Sequence, residues 1–148
     1  MALKSGTKAP NFKLPGTSGL NFDLKEHLPC IIYFYPKDFT PGCTEEACSF
    51  RDGFEELRNL EIPVFGISRD SLDSHEKFKS KHQLPFELLS DVKGNVCKAY
   101  NALVPVVKIP KRITYLVDDE GIIKSSYSDL FGAKNHLNKM ISQLRLNK

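Results

Sequence analysis

The stretch CIIYFYPKDFTPGCTEEACSF, residues 30–50, constrains this chain more than any other segment. Its first six residues are continuously apolar and rich in isoleucine and aromatic side chains, as in a strand covered on both faces. Proline and glycine then punctuate the chain, and a helical pattern follows at once: Ala47, Phe50, Phe54 and Leu57 recur at three- and four-residue spacings. A buried strand that delivers the chain directly into a helix is the unit of an open α/β sheet. Such sheets gather their reactive groups where strand becomes helix.

The remaining pattern extends that unit. Residues Asn11 to Leu24 read as short strands around Gly16 and Gly19, and Val64 to Ser68 as a second buried strand. Ser71 to Lys81 is expected as a helix, Phe86 to Leu89 as a strand, and Val92 to Tyr100 as a short helical turn. Ala102 to Pro110 is a proline-punctuated loop. Ile113–Val117 and Ile122–Ser126 flank DDEG, a hairpin signal, and Leu137, Met140, Ile141 and Leu144 mark a terminal amphipathic helix. Pro41 to about Asn59 is expected as one helix, in which Gly53 is a cost and not a stop. The order predicts a small central sheet with helices on both faces, in a single domain over residues 1–148.

Composition removes several classes of function. No stretch approaches the ~20 apolar residues that span a bilayer, and the opening MALKSGTKAP has no apolar signal core, so no membrane association is expected. A cytoplasmic location is the expectation, with an organelle after loss of a transit peptide, or the nucleus, as alternatives. The net charge of +3 is spread along the chain; Lys108, Lys111 and Arg112 cluster, and Lys77, Lys79 and Lys81 alternate, but neither group reads as a nucleic-acid surface. Four cysteines are too few for a disulfide scaffold, and their spacings of 13, 5 and 49 residues do not form a zinc site. His27, His75, His82 and His136 form no HxH or HExxH unit, and His75 and His82 read as helix-face residues.

The chemistry therefore falls to Cys43. Thr40 is a candidate N-cap, Pro41 suits the first helical position, and Glu45 and Glu46 add negative charge near the first turn. Cys43 is then the third helical residue, close to backbone N–H groups without intrahelical acceptors and to the positive end of the helix dipole. Both favour thiolate over thiol. A shift from about 8.5 to about 6 would raise the ionised fraction at pH 7 by only ~30-fold, about 2 kcal/mol. Fast chemistry also needs donors that stabilise charge on the atom attacked and the group leaving. The Thr40 hydroxyl, three residues before Cys43, and the Arg112 guanidinium could supply them. Local sequence leaves Thr40 open as a plain cap and Arg112 as a surface residue.

Cys48 lies five residues beyond Cys43. On an intact helix that spacing separates the two Cα atoms by roughly 8.6 Å, whereas a disulfide needs about 4.4–6.8 Å, so pairing requires the first turns to unwind. From the residues alone, Cys48 is a second redox thiol, a core filler or a zinc ligand, the last lacking partners.

FYPKDFTPGCTEEACSFRD, residues 34–52, resembles the active-site segment of the bacterioferritin-comigratory, or Q-type, peroxiredoxins. The family's proline, threonine and cysteine are matched by Pro36, Thr40 and Cys43, and GTKAPNFKL, VFGISRDSLDSHEKF, LPFELLSDVKG and KRITYLVDDEGII resemble further family segments in the same order. The resemblance implies a thioredoxin-like fold with an N-terminal extension and an insertion, built on a mixed sheet. It implies reduction of hydrogen peroxide and organic hydroperoxides without haem, metal or other cofactor. It assigns Cys43 as peroxidatic cysteine, Pro36 as its shield, Arg112 and Thr40 as substrate-orienting residues, and Cys48 as the resolving cysteine. Recycling by thioredoxin or a similar dithiol, a small hydroperoxide substrate and a monomeric state are likewise implied. Tyr35 and Phe39 are expected to wall the pocket. Cys30 reads as a core residue and Cys97 as a packed helix residue, with a backup resolving role left open for Cys97. A thiol–disulfide exchange protein, or a redox-sensing or chaperone protein on the same fold, is the competing reading.

Overall fold

A computed structural model describes residues 2–128 and 133–146. Its centre is a five-stranded sheet ordered β5-β4-β3-β6-β7. The strands are β3 (Cys30–Phe34), β4 (Val64–Ser68), β5 (Glu87–Ser90), β6 (Ile113–Val117) and β7 (Ile123–Ser128). β3, β4 and β5 pair in parallel, while β6 and β7 are antiparallel, so the sheet is mixed. The continuous apolar runs of β3, β4 and β6 are explained by position: all fifteen of their residues are buried, between strands on both sides and layers on both faces. β1 (Lys13–Pro15) and β2 (Asn21–Asp23) form a separate hairpin, the N-terminal extension of a thioredoxin-like fold.

The helices are α1 (Pro41–Asp52), α2 (Phe54–Asn59), α3 (Leu72–His82), α4 (Asn95–Ala99) and α5 (Ala133–Leu146). Alternation along β3 divides the interior in two. Cys30, Ile32 and Phe34 point into a core shared with the N-terminal segment, α4 and Tyr100. Ile31, Tyr33 and the following Tyr35 point into a second core built by α1, α2, α3 and α5, which holds Cys43, Phe50, Phe78 and Met140.

The expected single helix from Pro41 to Asn59 is two. Gly53 interrupts it, and a side chain there would begin 2.7 Å from Leu137 of α5. The break lets α5 press against the end of α1. At the start of α1, Thr40 has extended backbone, as an N-cap should, but its hydroxyl makes no capping bond. Ser71, at the start of α3, does cap through its side chain, accepting from the Ser74 amide.

Candidate active site

The loop between β3 and α1 is fixed by polar side chains from α3 and the end of β4. Asp38 is 3% exposed and accepts from the Tyr35 hydroxyl (2.6 Å) and the Ser74 hydroxyl (2.9 Å). His75, fully buried, places Nδ1 2.7 Å from Asp38 and Nε2 3.0 Å from the Leu89 carbonyl. Asp70 accepts from the Asp38 amide at 3.0 Å. Every member of this buried network is hydrogen-bonded, as burial of polar groups requires. His75 is thus not a surface residue of its helix, and Tyr35 lies in the core beneath the loop, not in a pocket wall. Phe39 is 46% exposed, with its ring edge-on to Phe78. Asp38, Asp70 and His75 are close enough together to hold a cation. Their donor atoms are engaged with protein partners, which makes the group a support for the loop.

This support delivers Cys43 to the first turn of α1 with 1% exposure. Arg112, immediately before β6, crosses the helix start and donates Nη2–H to the Cys43 sulfur at 3.2 Å. Gly42 makes room for the crossing: a side chain there would begin 3.0 Å from that same Nη2. Nη1 donates to Glu46 Oε1 at 2.7 Å. Glu46 was expected near the first turn as a dipole partner, yet it is fully buried one turn beyond Cys43 and holds the guanidinium in place. Burial pushes its carboxyl up to about 8, against the opposing pull of Arg112. A neutral carboxyl can still accept the Arg112 hydrogen bond, so the clamp survives either protonation state.

Behind Glu46 stands His136 of α5, also fully buried, with Nδ1 2.7 Å from the Thr114 hydroxyl and 3.4 Å from Glu46 Oε2. Among the described residues, the buried side-chain atoms in this core that make no hydrogen bond are Glu46 Oε2 and the Tyr33 hydroxyl. Burial first, then the Glu46 and Cys43 charges, raise the Tyr33 phenol well above its ordinary value. Sequence reasoning gave neither Glu46 nor His136 a place in the site, and nothing in the local pattern around His136 announces it. The Cys43 to Glu46 spacing of three residues, one helical turn, was the available signal for the first.

The Thr40 hydroxyl donates to the Lys37 carbonyl at 2.8 Å, so in this form it neither caps α1 nor donates to sulfur. Pro36 opens onto a groove of about 730 Å³ shared with Val107, Ile109 and Pro110. Cys48 is half-buried on α1, with its sulfur 3.9 Å from His82 Nδ1. All four cysteines are free thiols, and unbroken helix separates Cys43 from Cys48. Burial pushes the Cys30 thiol up to about 12; burial and the nearby Asp91 carboxylate raise Cys97 as well.

A mixed sheet, a cysteine in the first turn of a helix after its central strand, and an arginine on that sulfur together define a thiol oxidoreductase of thioredoxin-like fold. The sequence pattern of the AhpC/TSA family matches residues 5–126, and the chain belongs to that family. It is 44% identical over 133 residues to a putative peroxiredoxin bcp of Coxiella burnetii, covering 84% of this chain and 88% of the relative. It is 37% identical over 146 residues to a chloroplastic peroxiredoxin Q of Oryza sativa, covering 97% of this chain and 67% of the relative. Among solved structures, peroxidoxin BcpB of Mycobacterium tuberculosis superposes with a TM-score of 0.93 at 31% identity over 99% of both chains. Peroxiredoxin Q of Xanthomonas campestris superposes with a TM-score of 0.81 at 30% identity, over 91% of this chain and 90% of that one. The protein is a peroxidase with a cysteine-based redox centre, acting on small peroxides and drawing electrons from thiols. Among the described residues no helix is long and apolar enough to cross a membrane.

Proposed function

We propose that Cys43 is the peroxidatic cysteine and Cys48 its resolving partner in a thioredoxin-recycled peroxidase. The observation that carries this is the Arg112 fork, with one nitrogen on the Cys43 sulfur at 3.2 Å and the other held by Glu46 at 2.7 Å. A cation held there stabilises both the attacking thiolate and the oxygen it displaces. The thiolate attacks one oxygen of the hydroperoxide, the O–O bond breaks, water or an alcohol leaves, and Cys43 becomes a sulfenic acid. Thr40 enters this step by rotating its hydroxyl from Lys37 toward the peroxide, and Pro36 limits access of water.

Once α1 opens, the Cys48 thiol displaces the sulfenic oxygen as water and a Cys43–Cys48 disulfide forms. An external dithiol, thioredoxin in this reading, then reduces it with two electrons. Pro36, Thr40, Cys43 and Arg112 converge within one compact unit, in this reading a single-domain enzyme that works as a monomer. Recycling through thiols suits a cytoplasmic setting, and an organelle is the alternative suggested by relatives named chloroplastic.

A thioredoxin-coupled peroxide assay tests the assignment. Cys43→Ser is expected to have no turnover. Cys48→Ser is expected to undergo one stoichiometric oxidation and then fail to recycle. Undiminished turnover of Cys48→Ser would move the resolving role to another thiol.

A further inference from the structure

The loop between α4 and β6 is built unlike the rest of the surface. Val106 is 93% exposed, Val107 61% and Ile109 49%, and Val92 beside them is 57% exposed. Val106 and Lys108 both have positive φ, 70° and 55°, which a β-branched residue such as valine strongly disfavours. Arg69 holds this shape: Nη1 donates to the Lys108 carbonyl at 2.8 Å, while Nε and Nη2 donate to the Val92 carbonyl at 3.0 and 2.9 Å. Four exposed apolar side chains are therefore presented on a braced backbone. Ordinary loops do not hold apolar side chains out in this way without a contact to make.

The surroundings indicate the contact. One side of the loop is the groove that also contains Pro36, Lys37 and Arg69; the other is a cleft of about 780 Å³ with Lys93, Lys98, Lys108 and Lys111. Asp70 is the one acid lining either, and its carboxylate is turned to Ser68 and the Asp38 amide. The rim is thus uniformly basic. A two-fold contact with a second copy would set this rim against itself.

We infer that the Val106–Ile109 loop and its lysine rim are the docking surface for the dithiol reductant, an acidic protein with an apolar contact patch. This rests on the peroxidase reading above. Pro36 joins the groove to the loop that precedes Cys43, so a partner seated there faces the start of α1. Its thiolate attacks one sulfur of the Cys43–Cys48 disulfide, forming a mixed disulfide and releasing the other sulfur as thiolate. The partner's second thiol then attacks the partner's own first sulfur and expels the enzyme cysteine as thiolate, leaving the partner oxidised and both cysteines reduced.

The test compares wild type, Lys98→Glu/Lys108→Glu and Val106→Asp in peroxide turnover driven by a thioredoxin of net negative charge or by dithiothreitol. Both variants are expected to raise the KM for thioredoxin about tenfold, equivalent to ~1.4 kcal/mol, with dithiothreitol-driven turnover unchanged. In the wild type, salt should lower kcat/KM for thioredoxin and leave dithiothreitol unaffected. An unchanged thioredoxin KM in both variants, a salt-insensitive wild type, or equal losses with both reductants would overturn the inference. So would vesicles of phosphatidylserine that bind wild type and not the charge-reversed variant while thioredoxin kinetics stay the same. Direct titration with thioredoxin separates the two: a wild type that turns over with neither reductant would refute the proposed function, whereas equal thioredoxin binding by wild type and both variants would refute this docking surface alone.

Discussion

Cys30 and Cys97 lie in the core on one face of the sheet and Cys43 in the core on the other, and all three are almost entirely hidden from water. Burial alone pushes the Cys30 thiol up to about 12; at Cys97 burial is joined by the Asp91 carboxylate, which disfavours ionisation further. Around Cys43 stands the Arg112 guanidinium, held by a carboxyl that is itself buried. Burial by itself makes a cysteine inert, and in the proposed mechanism what sets Cys43 apart from the two packing cysteines is a cation whose second hand is tied.

The largest effect that could break this contrast is chemical deletion. Cys43→Ser should reduce peroxide consumption to the uncatalysed rate, whereas Cys30→Ala and Cys97→Ala should keep full turnover, measured with the same coupled assay. Loss of activity in Cys97→Ala would erase the distinction between the two faces. Next in size is Arg112→Lys. A lysine ammonium lacks the planar fork that sets one nitrogen on the sulfur and another on Glu46, and the second-order rate of Cys43 oxidation should fall about 10²–10³-fold while the fold persists.

Glu46→Gln sharpens the contrast through pH. The folded Glu46 carboxyl is raised from its ordinary 4.5 to about 8, so the native state binds that proton more tightly than the unfolded state. Its stabilising effect is full below the ordinary value and is lost as pH rises toward 8. Denaturant midpoints for the wild type should therefore fall between pH 5 and pH 8, and Glu46→Gln should flatten that fall. A wild-type curve flat across this range would show Glu46 ionised throughout. The smallest effect concerns Tyr33, whose buried hydroxyl is unpartnered. Tyr33→Phe should stabilise the reduced protein by about 1 kcal/mol in equilibrium unfolding.

The two faces also differ in how far the sequence alone makes them legible. The apolar runs of β3, β4 and β6, the start of α1 at Pro41 and the strand-leading position of Arg112 follow from local chemistry, because strand burial and helix initiation are written in neighbouring residues. Glu46, His75 and His136 were misread or passed over for the opposite reason. A charged or imidazole side chain in a helix is ordinarily solvated, and only packing against β6, the β3–α1 loop or another helix turns it inward. Thr40 and Gly53 departed differently from sound local readings, as a cap and as a tolerated helix residue. Thr40 does hold the N-cap position, but its hydroxyl turns to the Lys37 carbonyl three residues back, while at Gly53 the contact with Leu137 of α5 decided.

The break at Gly53 has a consequence for how this enzyme would survive its own cycle. Joining Cys43 to Cys48 demands that the first helix lose its order, and a helix continuing through residue 59 would tend to carry that loss toward Leu57, which is wholly buried. Because the helical run is already interrupted, melting has a firebreak. Protease cuts in the oxidised protein should gather between Pro41 and Phe50 and stop short of the second helix, so that each turnover disorders a cap and spares the foundation.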